Sequence, residues 1–221
     1  MSLPRTPRAV IFDMDGLLID SESIYRDAML DTAAEAKFEL PFSVIAKMVG
    51  VPWINAVRAL TDHYGPDFDA MGFREESTRR FHLTAQAGIC LKAGVVELLD
   101  HLDTLGLPRA ICTGSGHQAV QTHMGGHGLL ERFDAVIAHG DYTHGKPEPE
   151  PFLVTAERLK VDPADCLVLE DSHNGVRAAS AAGMMTVMVP DLLEANDEIA
   201  GLCVRVADSL HDVRALLPID R

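Results

Sequence analysis

The sequence predicts an α/β protein, a doubly wound parallel sheet with a small α-helical insert. Short apolar runs of strand length recur along the chain, at 10–12, 109–112, 135–138, 166–169 and 185–189. Helical periodicity fills the gaps between them, and strand alternating with helix implies parallel strands joined by right-handed crossovers. Between the first run and Leu91 no strand pattern interrupts the helical one. That stretch therefore reads as a helical insert after the first strand.

The run 10–12 is short and continuous, as expected of a strand buried on both faces. It leads into Asp13-Met14-Asp15-Gly16. Side chains at i and i+2 point the same way where the backbone stays extended, so Asp13 and Asp15 can face one pocket. Two carboxylates there repel each other unless a cation sits between them. A hard, oxygen-loving ion such as Mg²⁺ suits that position and leaves one carboxylate free to react. A strand running into an Asp-Gly turn would read the same way and needs no chemistry.

In the insert, Ile24, Tyr25, Ala28, Met29, Ala33 and Ala36 share one helical face behind an Asp20-Ser21 start signal. Pro41-Phe42-Ser43 opens a second helix, 53–64 reads as a third, and 73–87 as a fourth. The sheet pattern resumes at Leu91 with a helix over 95–105 and a strand over 109–112. Helix 117–124, strand 135–138, helix 150–159, strand 166–169, helix 174–182 and strand 185–189 follow. A strand at 203–206 and a helix at 210–216 complete the pattern.

Three later segments supply what the first lacks. Strand 109–112 ends in Thr113-Gly114-Ser115-Gly116, a hydroxyl followed by glycine-rich backbone. At a strand-to-helix turn such backbone presents N–H groups to an anion. In His144-Gly145-Lys146-Pro147-Glu148-Pro149-Glu150-Pro151, prolines stiffen the approach to a helix and hold one lysine in place. Strand 166–169 delivers Glu170-Asp171-Ser172, followed by a helix rich in Gly and Ala that can lie close on the sheet. Open parallel sheets bind ligands at the carboxyl ends of their strands, so these groups converge on one crevice.

In this order and at these separations, Asp13-Met14-Asp15-Gly16, Thr113, Gly145-Lys146-Pro147 and Glu170-Asp171-Ser172 with Gly175 resemble the motifs of the haloacid dehalogenase-like (HAD) hydrolases. The resemblance is to the β-phosphoglucomutase-like phosphatases with a helical cap, and it spans essentially the whole chain. It implies a Rossmann-like core from residues 1–19 and 89–221, and a cap from 20–88 hinged by two short linkers. It also implies a Mg²⁺-dependent phosphatase acting on a small phosphorylated metabolite, a sugar phosphate or nucleoside monophosphate. Asp13 would be the nucleophile that forms an aspartyl-phosphate, and Asp15 the acid and base. Mg²⁺ would be held by Asp13, the backbone carbonyl of Asp15 and Asp171, with Glu170 tuning it. Lys146, Thr113 and the Gly114 amide would hold the phosphoryl oxygens. Ser115, Gly116 and His117 fall where the family touches substrate, as does the cap loop of Gly50 and Trp53.

Related activities are weighed by single residues. A phosphomutase of the β-phosphoglucomutase type grips a second phosphate with an arginine in the cap loop. Here the loop reads Gly50-Val51-Pro52-Trp53-Ile54-Asn55, with tryptophan at the arginine's place. A dehalogenase would not need Asp15. A phospho-accepting signalling module is shorter, has no cap and needs no second aspartate. The core turn, together with Val187-Met188-Val189-Pro190-Asp191, looks most like pseudouridine-5′-phosphatase-like and 2-deoxyglucose-6-phosphatase-like members.

Composition fits this reading. The formal net charge of −14 disfavours nucleic acid and anionic membranes as partners. The four cysteines are scattered, and Cys112 and Cys166 lie in expected core strands, so reduced thiols are expected. Met1–Arg8 carries no apolar signal segment and no run is long enough to span a bilayer, so a cytoplasmic location is expected; a monomer is expected as well. His123 and His127 have i, i+4 spacing, but Gly125-Gly126 interrupts the helix that would align them on a metal. The acidic run 194–198 reads as a solvated helix face or loop.

Overall fold

A computed structural model describes residues 3–51 and 53–217, which divide into two compact units. One unit comprises residues up to Ile19 and from Leu91 onward, and the other runs from Asp20 to Cys90.

The first unit is built on six strands: β1 (Ala9–Phe12), β2 (Arg109–Gly116), β3 (Ala135–His139), β4 (Cys166–Glu170), β5 (Met185–Met188) and β6 (Arg205–Val206). They form one sheet in the order β3-β2-β1-β4-β5-β6 with every pairing parallel. The chain builds outward from β1 to β3, then returns to place β4 on the other side of β1. That reversal sets the topological switch point beside β1, where such sheets bind ligands.

The helices of this unit are α5 (Val95–Leu105), α6 (His117–Gly125), α7 (Glu150–Leu159), α8 (His173–Ala181), α9 (Asp197–Leu202) and α10 (Leu210–Ala215). Phe152 and Ala156 of α7 and Ala178 and Ala179 of α8 pack on the face formed by Ala9, Ile11, Cys166 and Val168. Val10 and Phe12 point the other way along β1 and are equally buried. Phe12 meets Phe133 edge to face, with ring centroids 5.8 Å apart. Both faces are covered, which is why β1 and β4 read as continuous apolar runs instead of alternating ones.

The second unit holds α1 (Ser21–Glu35), the short α2 (Phe42–Ile45), α3 (Trp53–Tyr64) and α4 (Ala70–Ala85). Its core joins Met29, Ala33, Leu40, Ile45, Leu60 and Phe73. Phe38 is its aromatic hub, touching Tyr64, Phe68 and Phe73 at 5.1–5.8 Å between centroids.

Several local expectations need correction. The segment Thr113–Gly116 is not a turn: β2 continues through it with a register shift, and its pairing to β3 resumes at Gly116. Such an irregularity re-aims side chains without ending the strand. β1 stops at Phe12, so plain strand alternation does not carry through Asp15. Asp20 sits at the N-cap of α1, yet its side chain makes no capping bond, and Ala36 lies exposed past the helix end. α4 starts three residues before the expected Phe73, because Asp69 caps it by accepting from the Gly72 N–H. The last strand is shorter than expected.

The acidic run 194–198 leads into α9. The Asn196 side chain accepts from the Ile199 N–H, and Asp197 and Glu198 occupy the first turn, where the helix dipole favours negative charge. α6 ends at Gly125, between His123 and His127.

Candidate active site

The carboxyl ends of β1, β2 and β4 lie side by side and deliver the acids and the hydroxyl. Asp13 follows β1 directly, and its N–H still donates to Leu169 of β4 at 3.0 Å. Thr113 lies on β2, and Glu170 is the last residue of β4, followed by Asp171. Asp13, Thr113, Glu170 and Asp171 are all buried.

The side chain of Lys146 reaches into this group from the loop before α7. Its ammonium donates to Asp13 Oδ1 at 2.5 Å, to Glu170 Oε1 at 2.5 Å and to the Cys112 carbonyl at 3.0 Å. It also lies 4.9 Å from the centre of the Phe152 ring. Burial works against its charge, but the two carboxylates raise its pKa well above the ordinary lysine value. Burial pushes the Asp13 carboxyl up to about 8, against the pull of Lys146 and reinforced by Glu170 and Asp15. One cation therefore faces more negative charge than it can neutralise.

Asp13, Glu170 and Asp171 each offer a carboxylate oxygen, and these oxygens lie within 4.8 Å of one another. Among the described residues this is the one such group of His, Cys, Asp or Glu side chains. Three buried carboxylates with a net negative surplus form a donor set fit for a hard divalent cation. The Asp15 side chain is not part of the group. Ser115 Oγ donates to Asp15 Oδ2 at 2.7 Å, and the Thr113 hydroxyl approaches the same oxygen at 3.4 Å. The two aspartates of the first motif thus have different surroundings, one among buried charges and one among hydroxyls.

The final motif has a steric logic that its composition hinted at. Ser172 caps α8 by accepting from the Gly175 N–H at 3.1 Å, and its own hydroxyl donates to Glu170 Oε2 at 3.0 Å. A Cβ on Gly175 would sit 1.9–2.1 Å from the Glu170 carboxyl group. Glycine is needed here for the close approach of helix to carboxylate.

His117 opens α6, and its Nε2 is paired with Asp141 at 2.8 Å. Gly114 and Gly116 have open space where a Cβ would be. Gly50 and Trp53 line a cavity of about 270 Å³ inside the helical unit, together with Tyr25, Met29, Met48 and Arg74. Pro52 of the same stretch lies outside the described residues. The Arg74 guanidinium lies over the Trp53 ring, 4.7 Å from its centre.

Some contributors escaped the sequence reading. Glu150 accepts the N–H groups of Thr143 at 2.8 Å and His144 at 2.9 Å, fixing the loop that carries Lys146. Tyr142 donates its hydroxyl to the Thr113 carbonyl at 3.1 Å. An acid at the start of a helix was a visible signal for Glu150. No local signal marked Tyr142 or Arg74.

A sheet of this order, with acids at the ends of β1 and β4 and a lysine between them, defines a Rossmann-like α/β core of the HAD type. Residues 7–183 match the model of the haloacid dehalogenase-like hydrolase family, and the chain belongs to that family. It is 31% identical over 185 residues to fructose-1-phosphate phosphatase YqaB of Escherichia coli, covering 81% of this chain and 95% of that protein. It is 30% identical over 214 residues to the bifunctional riboflavin kinase/FMN phosphatase of Arabidopsis thaliana. That match takes in 96% of this chain but only 56% of the Arabidopsis protein's length. Among solved structures, CbbY from Rhodobacter sphaeroides in complex with phosphate superposes with a TM-score of 0.74 at 26% identity, covering 94% of this chain and 96% of that one. Family and relatives together make the chain a phosphoric monoester hydrolase. No helix among the described residues is long and apolar enough to cross a membrane.

Proposed function

We propose that the chain is a Mg²⁺-dependent phosphatase that hydrolyses a small phosphorylated metabolite, a sugar phosphate or nucleoside monophosphate, through an aspartyl-phosphate on Asp13. One observation carries this reading: Lys146 bonds Asp13 and Glu170 at once, within a carboxylate group that still has a negative surplus.

Asp13, Asp171 and Glu170 would hold the cation, with the Asp15 carbonyl as a further oxygen. Bound there, Mg²⁺ supplies positive charge that keeps Asp13 ionised and offsets charge on the phosphoryl oxygens. The Asp13 carboxylate attacks phosphorus as the bond to the ester oxygen breaks, and Asp15 gives that oxygen its proton. Asp15, now ionised, takes a proton from water as the water oxygen attacks phosphorus. The Asp13–phosphorus bond breaks and inorganic phosphate leaves. Ser115 and Thr113 aim the Asp15 carboxyl throughout. Lys146 balances charge on Asp13 and on the transferring group. The helical unit would act as the cap that selects the leaving group, with Gly50 and Trp53 at its cavity.

Arg74 beside Trp53 favours a second reading, a phosphomutase, because it returns a cation to the loop where tryptophan replaces the mutase arginine. Assay of hexose 1-phosphate for conversion to hexose 6-phosphate separates the two readings. Phosphate release without that conversion is expected.

The test is Asp13→Asn, which preserves shape but removes the attacking carboxylate. It should fold normally and lose at least about 10⁴-fold in turnover, and chelation of divalent cations should abolish the unchanged chain's activity. A folded variant keeping a tenth of the turnover would overturn Asp13 as nucleophile.

A further inference from the structure

Asp191 follows β5, in the Val187–Asp191 stretch to which the proposed chemistry gives no role. Its side chain is only 11% exposed, and its Oδ1 accepts from the Lys92 ammonium at 2.7 Å. Its Oδ2 is buried and has no hydrogen-bond partner. A buried carboxylate oxygen is an acceptor that calls for a donor.

What faces it is Asp171. A Cβ built on Gly16 would lie 2.3 Å from Asp171 Oδ2 and 3.2 Å from Asp191 Oδ2, so the two oxygens come near the same side of Gly16. Gly16 has φ +77°, a backbone conformation that L side chains rarely adopt, and its missing side chain lets the Asp171 carboxylate come this close. Two carboxylate oxygens held near each other repel unless a cation or a donor lies between them. Lys92 is engaged on Oδ1, so Oδ2 is the oxygen left for another donor.

Resting on the proposed phosphatase reading, we propose that Asp191 is a positioning residue of the cation site, accepting a hydrogen bond through Oδ2 from a hydration water of the Mg²⁺ that Asp171 helps to hold. Mg²⁺ dehydrates reluctantly and keeps several waters, and the acceptors around those waters decide how firmly the ion sits. Lys92 orients the acceptor, and Gly16 lets Asp171 approach it. Asp191 touches neither the substrate nor the reacting atoms, so its effect is on cation affinity.

The experiment is a calorimetric titration of Mg²⁺ into the metal-stripped full chain, with no substrate present. Asp191→Asn should raise the Mg²⁺ Kd about tenfold, within the 10- to 100-fold range of lost outer-shell partners. A purely structural role would lower the Tm of the metal-free protein and leave Kd where it was. A folded Asp191→Asn variant whose Kd stays within about twofold of the unchanged chain overturns the proposal while leaving the phosphatase reading intact. Should that variant not fold, Asp191→Ser carries the same expectation and the same overturning result. Failure of the unchanged chain to bind Mg²⁺ at all would overturn both.

Discussion

Glu170 is fully buried and is held on both of its carboxylate oxygens. Lys146 holds one of its oxygens, and the N–H and hydroxyl of Ser172 hold the other. Its carboxyl group cannot move without breaking these bonds, and Gly175 supplies the space it occupies. Gly175→Ala would drive a methyl group into that carboxylate. We expect a loss of about 1–3 kcal/mol, the usual cost of overpacking a tight site, measurable by urea unfolding. A variant as stable as the unchanged chain would mean that Glu170 can shift freely. The same pinning explains how a lysine, ordinarily a solvated surface residue, remains charged when buried.

The loop before α7 turns that pinned site into an assembled one. Glu150 caps the loop's own backbone, and its carboxyl is held down to about 2 by the Thr143 and His144 N–H groups and the His144 side chain. In the unfolded chain the same carboxyl takes its proton near 4.5. Between those values the unfolded state binds more protons, so the stabilisation is complete above about pH 4.5 and is lost as pH falls toward about 2. Glu150→Gln should therefore flatten the fall of Tm with pH across that window and leave less difference below it. An identical acid limb in the two proteins would show that the carboxylate is not holding the loop. At β2 the comparable device is the register shift between Cys112 and Gly116, which lets a strand present Ser115 to Asp15.

The two units differ in the chemistry they carry. The sheet unit contains all the charged groups proposed to handle phosphorus, while the helical unit offers a cavity with an aromatic face and a cation, Trp53 and Arg74. A flat indole suits a nucleobase or the carbon face of a sugar, and the guanidinium beside it suits an anionic or hydroxylated leaving group. Trp53→Ala should lower kcat/KM for the best natural-type substrate by about tenfold or more, and leave a minimal aryl phosphate nearly unaffected. Equal losses on both substrates would reduce Trp53 to a packing residue of the helical core. The surface of net charge −14 repels phosphorylated compounds at long range, so attraction must come from these local cations and the proposed metal.

Much of this protein was legible without coordinates. The apolar runs, the helical periodicity and the Asp-Gly, Pro and Ser signals are local, and they placed α3, α5 and α7 at their observed bounds. The same local patterns put Asp13, Glu170 and Asp171 at strand ends, where such sheets bind ligands, whereas Thr113 lies within β2, which runs on to Gly116. Which of those groups meet was decided by the order β3-β2-β1-β4-β5-β6, since contacts across a sheet depend on which strands are neighbours. Lys146 therefore bonds Asp13 and Glu170 together, Asp15 turns to Ser115 and stays outside the group of Asp13, Glu170 and Asp171, and Lys92 finds Asp191 across 99 residues of chain. Arg74 came to lie on Trp53 for the same reason, through the packing of α3 and α4 and not through any spacing in the chain. Periodicity and turn chemistry act over a few residues, so the sequence by itself determined the elements and the acids at their ends. Pairing between distant side chains is set by packing, and only the tertiary structure decided which charges neutralise one another and where negative charge is left over.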